Sequence, residues 1–157
     1  MENAGHSMQL TRAADYAIRV MIHMAGLPDK TRTLLPELAQ VTGAPESFLS
    51  KILQSLRRSG FIASQRGSAG GFEILPAGRT ATICSVIEAI EGPIRLNICV
   101  MRDDLCSRQG HCPAHPLWVK AQGAVINILN AETIVNLAEG HLMPPSRQIQ
   151  SQINVNF

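Results

Sequence analysis

Three cysteines and a histidine crowd one short stretch of the chain. Cys99, Cys106 and Cys112 are spaced C-x6-C-x5-C, and His115 follows after two intervening residues. Thiolates and imidazole are the donors that hold zinc or iron–sulfur clusters. Zinc accepts a Cys3His set tetrahedrally, and a cluster accepts thiolates with one position taken by His, which raises its reduction potential. Spacing alone does not choose between them. Structural zinc loops usually carry a close CxxC pair. Its absence here tilts the pattern toward a cluster. Residues 95–114 show no sustained apolar period that would bury three cysteines as core side chains. Cys84, inside Thr82-Ile83-Cys84-Ser85-Val86, opens a helical pattern and reads as a small packing residue. His111 is an alternative ligand beside Cys112, whereas His23 and His141 read as structural or solvated.

A second chemistry lies upstream. Between residues 44 and 66 stand Lys51, Arg57, Arg58 and Arg66 against Glu46 alone. A local excess of cations suits a polyanion, although the net charge of the whole chain is only +2 and says little about partners. Residues 44–58 form a helical pattern with Phe48, Leu49, Ile52, Leu53 and Leu56 on its apolar side. Ser47, Ser50, Lys51, Gln54 and Arg58 lie on the other side. Lys can read guanine and Gln adenine in a major groove, and serines at a helix start can donate to phosphates. Ser47, Ser50, Lys51 and Gln54 are therefore the candidate readers of a DNA duplex. Arg66 opens the run Arg66-Gly67-Ser68-Ala69-Gly70-Gly71, where it suits a phosphate or the minor groove. Gly67, Gly70 and Gly71 permit the backbone of a tight turn beside the nucleic acid.

These residues need elements to hold them. Leu10, Ala14, Ala17, Ile18, Met21 and Ala25 recur at spacings of three and four, with Thr11 as cap and Gly26 and Pro28 as stops. A short helix follows over 36–41, with Pro36 in its first turn and Gly43 as a left-handed stop. After the 44–58 helix, closed by Gly60, the segments 61–64 and 72–75 read as strands around the glycine turn. Helix, helix, glycine turn, helix and basic-tipped hairpin is the layout of a winged helix-turn-helix, in which the second helix of the motif enters the major groove. Ile83, Val86, Ile87 and Ile90 give a further helix stopped by Gly92-Pro93. Leu117, Ala121, Ala124, Val125 and Ile128 mark a longer one over 116–130, and a short helix follows over 131–138. The fold class is mainly α with a small β-hairpin. The expected organisation is a DNA-binding unit over 8–92, a cluster-binding loop over 93–115, helices over 116–139 and a polar tail over 140–157.

Composition narrows the function further. The 157 residues are 45% hydrophobic but only 4% aromatic, which favours aliphatic helix packing over a β-sandwich. No run of 18 apolar residues occurs, and the first residues lack the apolar core of a signal peptide, so a cytoplasmic protein with no membrane span is expected. No Ser-His-Asp set, carboxylate-pair motif or phosphate-binding glycine loop is recognisable; the glycines at 67–71 lead from strand to strand, not into a helix. The chain does not read as an enzyme.

Four segments together resemble a known group. Leu10-Thr11-Arg12-Ala13-Ala14-Asp15-Tyr16-Ala17, Leu53-Gln54-Ser55-Leu56-Arg57-Arg58-Ser59-Gly60, Arg66-Gly67-Ser68-Ala69-Gly70-Gly71-Phe72 and the three-cysteine loop look like the IscR/NsrR/RirA family of bacterial winged-helix regulators. The resemblance covers roughly residues 8–138. It implies a homodimer on an imperfectly palindromic duplex, with the helix at 116–130 as the dimer interface, and Tyr16, Ser47 and Arg66 as DNA contacts. Cys112-Pro113-Ala114-His115-Pro116-Leu117-Trp118 is similar to the stretch of the cluster-biogenesis type, which implies His115 as fourth ligand and a [2Fe–2S] cluster in preference to [4Fe–4S]. In one [4Fe–4S] branch an aspartate from the other subunit is a ligand, and Asp15 is its equivalent here. The implied function is a transcriptional regulator whose operator affinity follows an iron–sulfur cluster. The alternative is a colourless, zinc-stabilised DNA-binding regulator without a sensing role.

Overall fold

The computed structural model describes residues 10–67, 70–100 and 106–140. α1 (Arg12–Ala25) starts at Thr11, whose extended backbone and side-chain oxygen, 3.3 Å from the Ala14 N–H, cap the first turn. Its Ala14, Ala17, Val20, Met21 and Met24 are buried along one stripe. α2 (Leu35–Thr42) ends as the glycine at 43 predicts, at φ 72° in the left-handed region. α3 (Glu46–Arg58) buries Leu49, Ile52, Leu53 and Leu56.

β1 (Ile62–Gln65) pairs antiparallel with β2 (Gly71–Ile74) in the register Ile62↔Ile74 to Gln65↔Gly71. Thr33, just before α2, adds one further rung: its N–H donates to the Phe72 carbonyl and its carbonyl accepts from the Phe72 N–H, both at 2.9 Å. Gly71, at φ 135°, sits at this junction, where a Cβ would stand 3.0 Å from the Thr33 carbonyl oxygen. A short α4 (Pro76–Arg79), absent from the sequence expectation, packs its Gly78 so tightly that a side chain there would collide with the Phe61 carbonyl. Arg79 donates to the carbonyls of Ala25 at 2.7 Å and Leu27 at 3.0 Å, closing the C-terminal end of α1. α5 (Ile83–Glu91) carries a reciprocal capping box between Thr82 and Ser85.

α6 (His115–Ala131) and α7 (Ile134–Ala138) are the last described elements. α1 is the centre of one core, packed by α2, α3, α5 and α7. Each fully buried Leu, Ile or Met in it contributes about 1.5–3 kcal/mol by leaving water. Ile134 of α7 belongs to this core, and its N–H donates to the Ala81 carbonyl at 2.8 Å, so α7 docks on the winged-helix unit although it follows α6 in sequence. α6 has no buried residue. It leans on α5 and on a 3-10 turn at Ile98–Val100, and Thr82 Oγ1 donates to Asn130 Oδ1 at 2.8 Å near its C-terminal end.

Two apolar positions depart from the expected stripes. Phe48 is 39% exposed instead of joining the α3 core face, and Leu10 lies outside α1 and is exposed. Among the described residues no helix is long and apolar enough to cross a membrane. The tail at 141–157 and the wing residues 68–69 lie outside the described residues.

Candidate nucleic-acid interface and cysteine segment

The buried stripe of α3 fixes which side chains face outward. Ser47, Lys51 and Gln54 are exposed and Ser50 is half-buried on the solvent side of a helix anchored by its leucines. Among the described residues no polar partner competes for Lys51 or Gln54, and the acidic Glu46 occupies the first turn.

Between α3 and the hairpin runs a groove of about 390 Å³. Ser50, Gln54 and Arg57 form its helix wall, and Ser64, Gln65 and Arg66 form its wing wall. The geometry thus brings together three expected residues, Ser50, Gln54 and Arg66. It adds Arg57, which the helical pattern left off the outward face, whereas Arg58, expected on that face, does not line the groove. The wing's shape depends on backbone the glycines alone supply. Gly67 has φ 102°, and a Cβ on Gly70 would lie 2.6 Å from the Gln65 carbonyl oxygen.

A second groove, of about 620 Å³, opens between the start of α1 and the end of α2. Tyr16 lines it and meets Phe48 edge-on, with ring centroids 6.1 Å apart and planes at 79°. This contact accounts for Phe48: it bridges the first turn of α3 to α1 instead of filling the core. Asp15 in the same groove is ion-paired with Arg19 at 2.9 Å.

The cysteine segment is built differently. Cys99 is buried in the Ile98–Val100 turn against α6, and Cys106 and Cys112 are half-buried; all are free thiols. His115 is the first residue of α6, and its N–H donates to the Cys112 carbonyl at 3.1 Å. Its ring Nδ1 is covered yet has no hydrogen-bond partner among the described residues. A covered imidazole nitrogen normally finds one. Among the described residues no three His, Cys, Asp or Glu side chains stand close enough to share a metal ion. The donors are of the right kind and lie along one segment, and the single chain does not gather them. Cys84 stands apart from this set in α5, where burial, and secondarily the Glu88 carboxylate, push its thiol pKa upward. It remains a neutral packing side chain.

Comparison with known proteins bears on the family and the fold. A family model described as Rrf2, iron-dependent transcriptional regulator, matches residues 10–140. The HTH-type transcriptional regulator IscR of Vibrio vulnificus (strain YJ016) is 28% identical over 143 residues, spanning 91% of this chain and 82% of that protein. The crystal structure of Staphylococcus aureus CymR superposes with a TM-score of 0.65 at 25% identity, covering 82% of this chain and 97% of that one. T. potens IscR gives a TM-score of 0.67 over 90% of this chain and 96% of its own; at 17% identity that likeness is one of fold.

Proposed function

We propose, from the premise that the chain belongs to the Rrf2 family of transcriptional regulators, that its affinity for DNA is set by an iron–sulfur cluster held by Cys99, Cys106, Cys112 and His115. The regulator role itself follows from the family, whose named relatives are transcriptional regulators and not enzymes. The observation that carries the finer reading is the covered Nδ1 of His115, unpartnered among the described residues and three positions from Cys112, in a segment that holds three free thiols. A cluster of either nuclearity would supply a redox- and nitric-oxide-sensitive group at this place, with [2Fe–2S] favoured by the Cys-Cys-Cys-His set. Asp15 is the weaker choice for fourth ligand, since Arg19 already engages it.

In this reading α3 enters the major groove, with Ser47, Ser50, Lys51 and Gln54 offered to base edges. Tyr16 and Arg66 take the flanking backbone, and the turn of Gly67, Gly70 and Gly71 lets the wing approach closely. Leu117 is 66%, Val119 51% and Ile128 46% exposed on α6. A long helix with such residues in water is best explained by a second copy lying against it. Two-fold symmetry then makes an imperfectly palindromic duplex the matching partner.

Protein isolated without oxygen is expected to be coloured, and to contain iron and acid-labile sulfide. Resonance Raman spectra assign the nuclearity. Alanine at Cys99, Cys106 and Cys112 together abolishes the visible absorbance. Colourless protein with stoichiometric zinc would replace the sensing role by a structural metal, and absorbance that survives the triple substitution would refute the ligand set.

A further inference from the structure

We infer that Glu91 is a positioning residue for the DNA interface, tying the first turn of α1 to the point where the chain leaves α5 for the cysteine segment. One carboxylate oxygen, Oε1, accepts two hydrogen bonds from Thr11, 80 residues away: from its backbone N–H at 2.9 Å and from its hydroxyl at 2.6 Å. Thr11 is the N-cap of α1, and its Oγ1 in turn accepts from the Ala14 N–H. Glu91 thereby orients the hydroxyl that caps the helix, and it places negative charge at the positive end of the α1 dipole.

The location of the two partners gives the contact its meaning. Glu91 is the last residue of α5, and Gly92 follows at φ 81°, a conformation that turns the chain sharply out of the helix. Beyond it the Leu96 N–H donates to Gln122 Oε1 of α6 at 3.2 Å, and the turn containing Cys99 rests on the same helix. On the other side, Thr11 opens the helix that carries Tyr16, whose ring meets Phe48 beside Ser47 at the start of α3. The backbone from the cysteine segment to Glu91, the Glu91–Thr11 hydrogen bonds, the start of α1 and the Tyr16–Phe48 contact together link the cysteine segment to the recognition helix. The relay half of this inference rests on the cluster-controlled reading above; the positioning half does not.

Both partners are exposed, and an exposed polar pair adds little to global stability. The effect on DNA is therefore separable from an effect on folding. Binding is measured on a short mixed-sequence duplex at low salt, alongside urea unfolding. Glu91→Ala is expected to weaken binding about fivefold, with an unchanged unfolding midpoint because Thr11 still caps α1. Glu91→Gln keeps an amide oxygen able to accept both bonds and is expected to stay within about twofold of the parent. An Ala variant that binds like the parent overturns the inference. So does a Gln variant that loses as much as Ala, or a binding loss that merely follows the fraction unfolded. The same duplex is then titrated with cluster-loaded and metal-free protein. The ratio of the two affinities is expected to shrink toward one in Glu91→Ala, and an undiminished ratio overturns the relay. A parent protein whose ratio is already one removes cluster control and the relay together, while the first comparison still decides the positioning role.

Discussion

The winged-helix unit and the segment that follows it treat their apolar residues in opposite ways. In the first, Leu38, Leu49, Leu53, Leu56, Ile62 and Ile134 are sealed around α1 by elements drawn from residues 12 to 138. In the second, 17 residues of helix bury nothing completely, and the preceding stretch holds two 3-10 turns and three free thiols. A chain segment that cannot cover its own apolar surface does not offset the entropy of ordering it. The first region is self-sufficient; under the proposed function the second is completed from outside, by a second copy of the chain and by what its sulfurs would hold.

Core truncation tests this contrast hardest. Leu53→Ala should lower the unfolding free energy by about 2–5 kcal/mol, the usual range for a fully buried leucine. Leu117→Asp on α6 should change the unfolding of a single chain by less than about 0.5 kcal/mol and instead reduce the light-scattering mass to that of one chain. Similar stability losses for both would abolish the distinction. Next in size is Gly71→Ala, which forces a side chain into a left-handed backbone 3.0 Å from the Thr33 carbonyl and should cost about 1–3 kcal/mol in urea unfolding. A cost near zero would mean that the wing is not fastened to residue 33.

The smallest effect concerns pH. The raised pKa of Cys84 means that the folded protein keeps a proton the unfolded thiol releases near its ordinary value of 9.0. Its stabilising contribution is thus complete below that pH and declines as pH rises through and above it. Alkylation of cluster-free protein at neutral pH should mark the half-buried Cys106 and Cys112 well before Cys84. Equal labelling would place Cys84 in the less consolidated region.

The sequence made the first region easier to read than the second. Thr11, Gly43, Gly60 and Gly92 are local punctuation: their cap and left-handed conformations need only neighbouring residues, so the helix ends agree closely with the structure. α4 escaped because four residues are too few to show a period, and the rung at Thr33 because a single residue has none. Phe48 was misplaced for a different reason. Helical spacing puts it near the core stripe, but its ring is claimed by Tyr16, a partner 32 positions upstream that no local pattern reveals. At the candidate site, Ser50, Gln54 and Arg66 were legible by type and spacing, whereas Arg57 acquires its place only from the tertiary groove. The clasp between Glu91 and Thr11 spans 80 residues and was invisible for the same reason.

The tether between Thr82 and Asn130 has a mechanical corollary. It pins α6 close to its C-terminal end, where Ile134 also re-enters the core. At a rise of 1.5 Å per residue this helix is a rod about 25 Å long, held at this tip and again at Gln122 near mid-length. Tilting it by about 5° would swing the opposite tip, with His115, through roughly 2 Å. Leverage of that kind lets a sub-ångström adjustment near the pivot become an ångström-scale displacement at the free end.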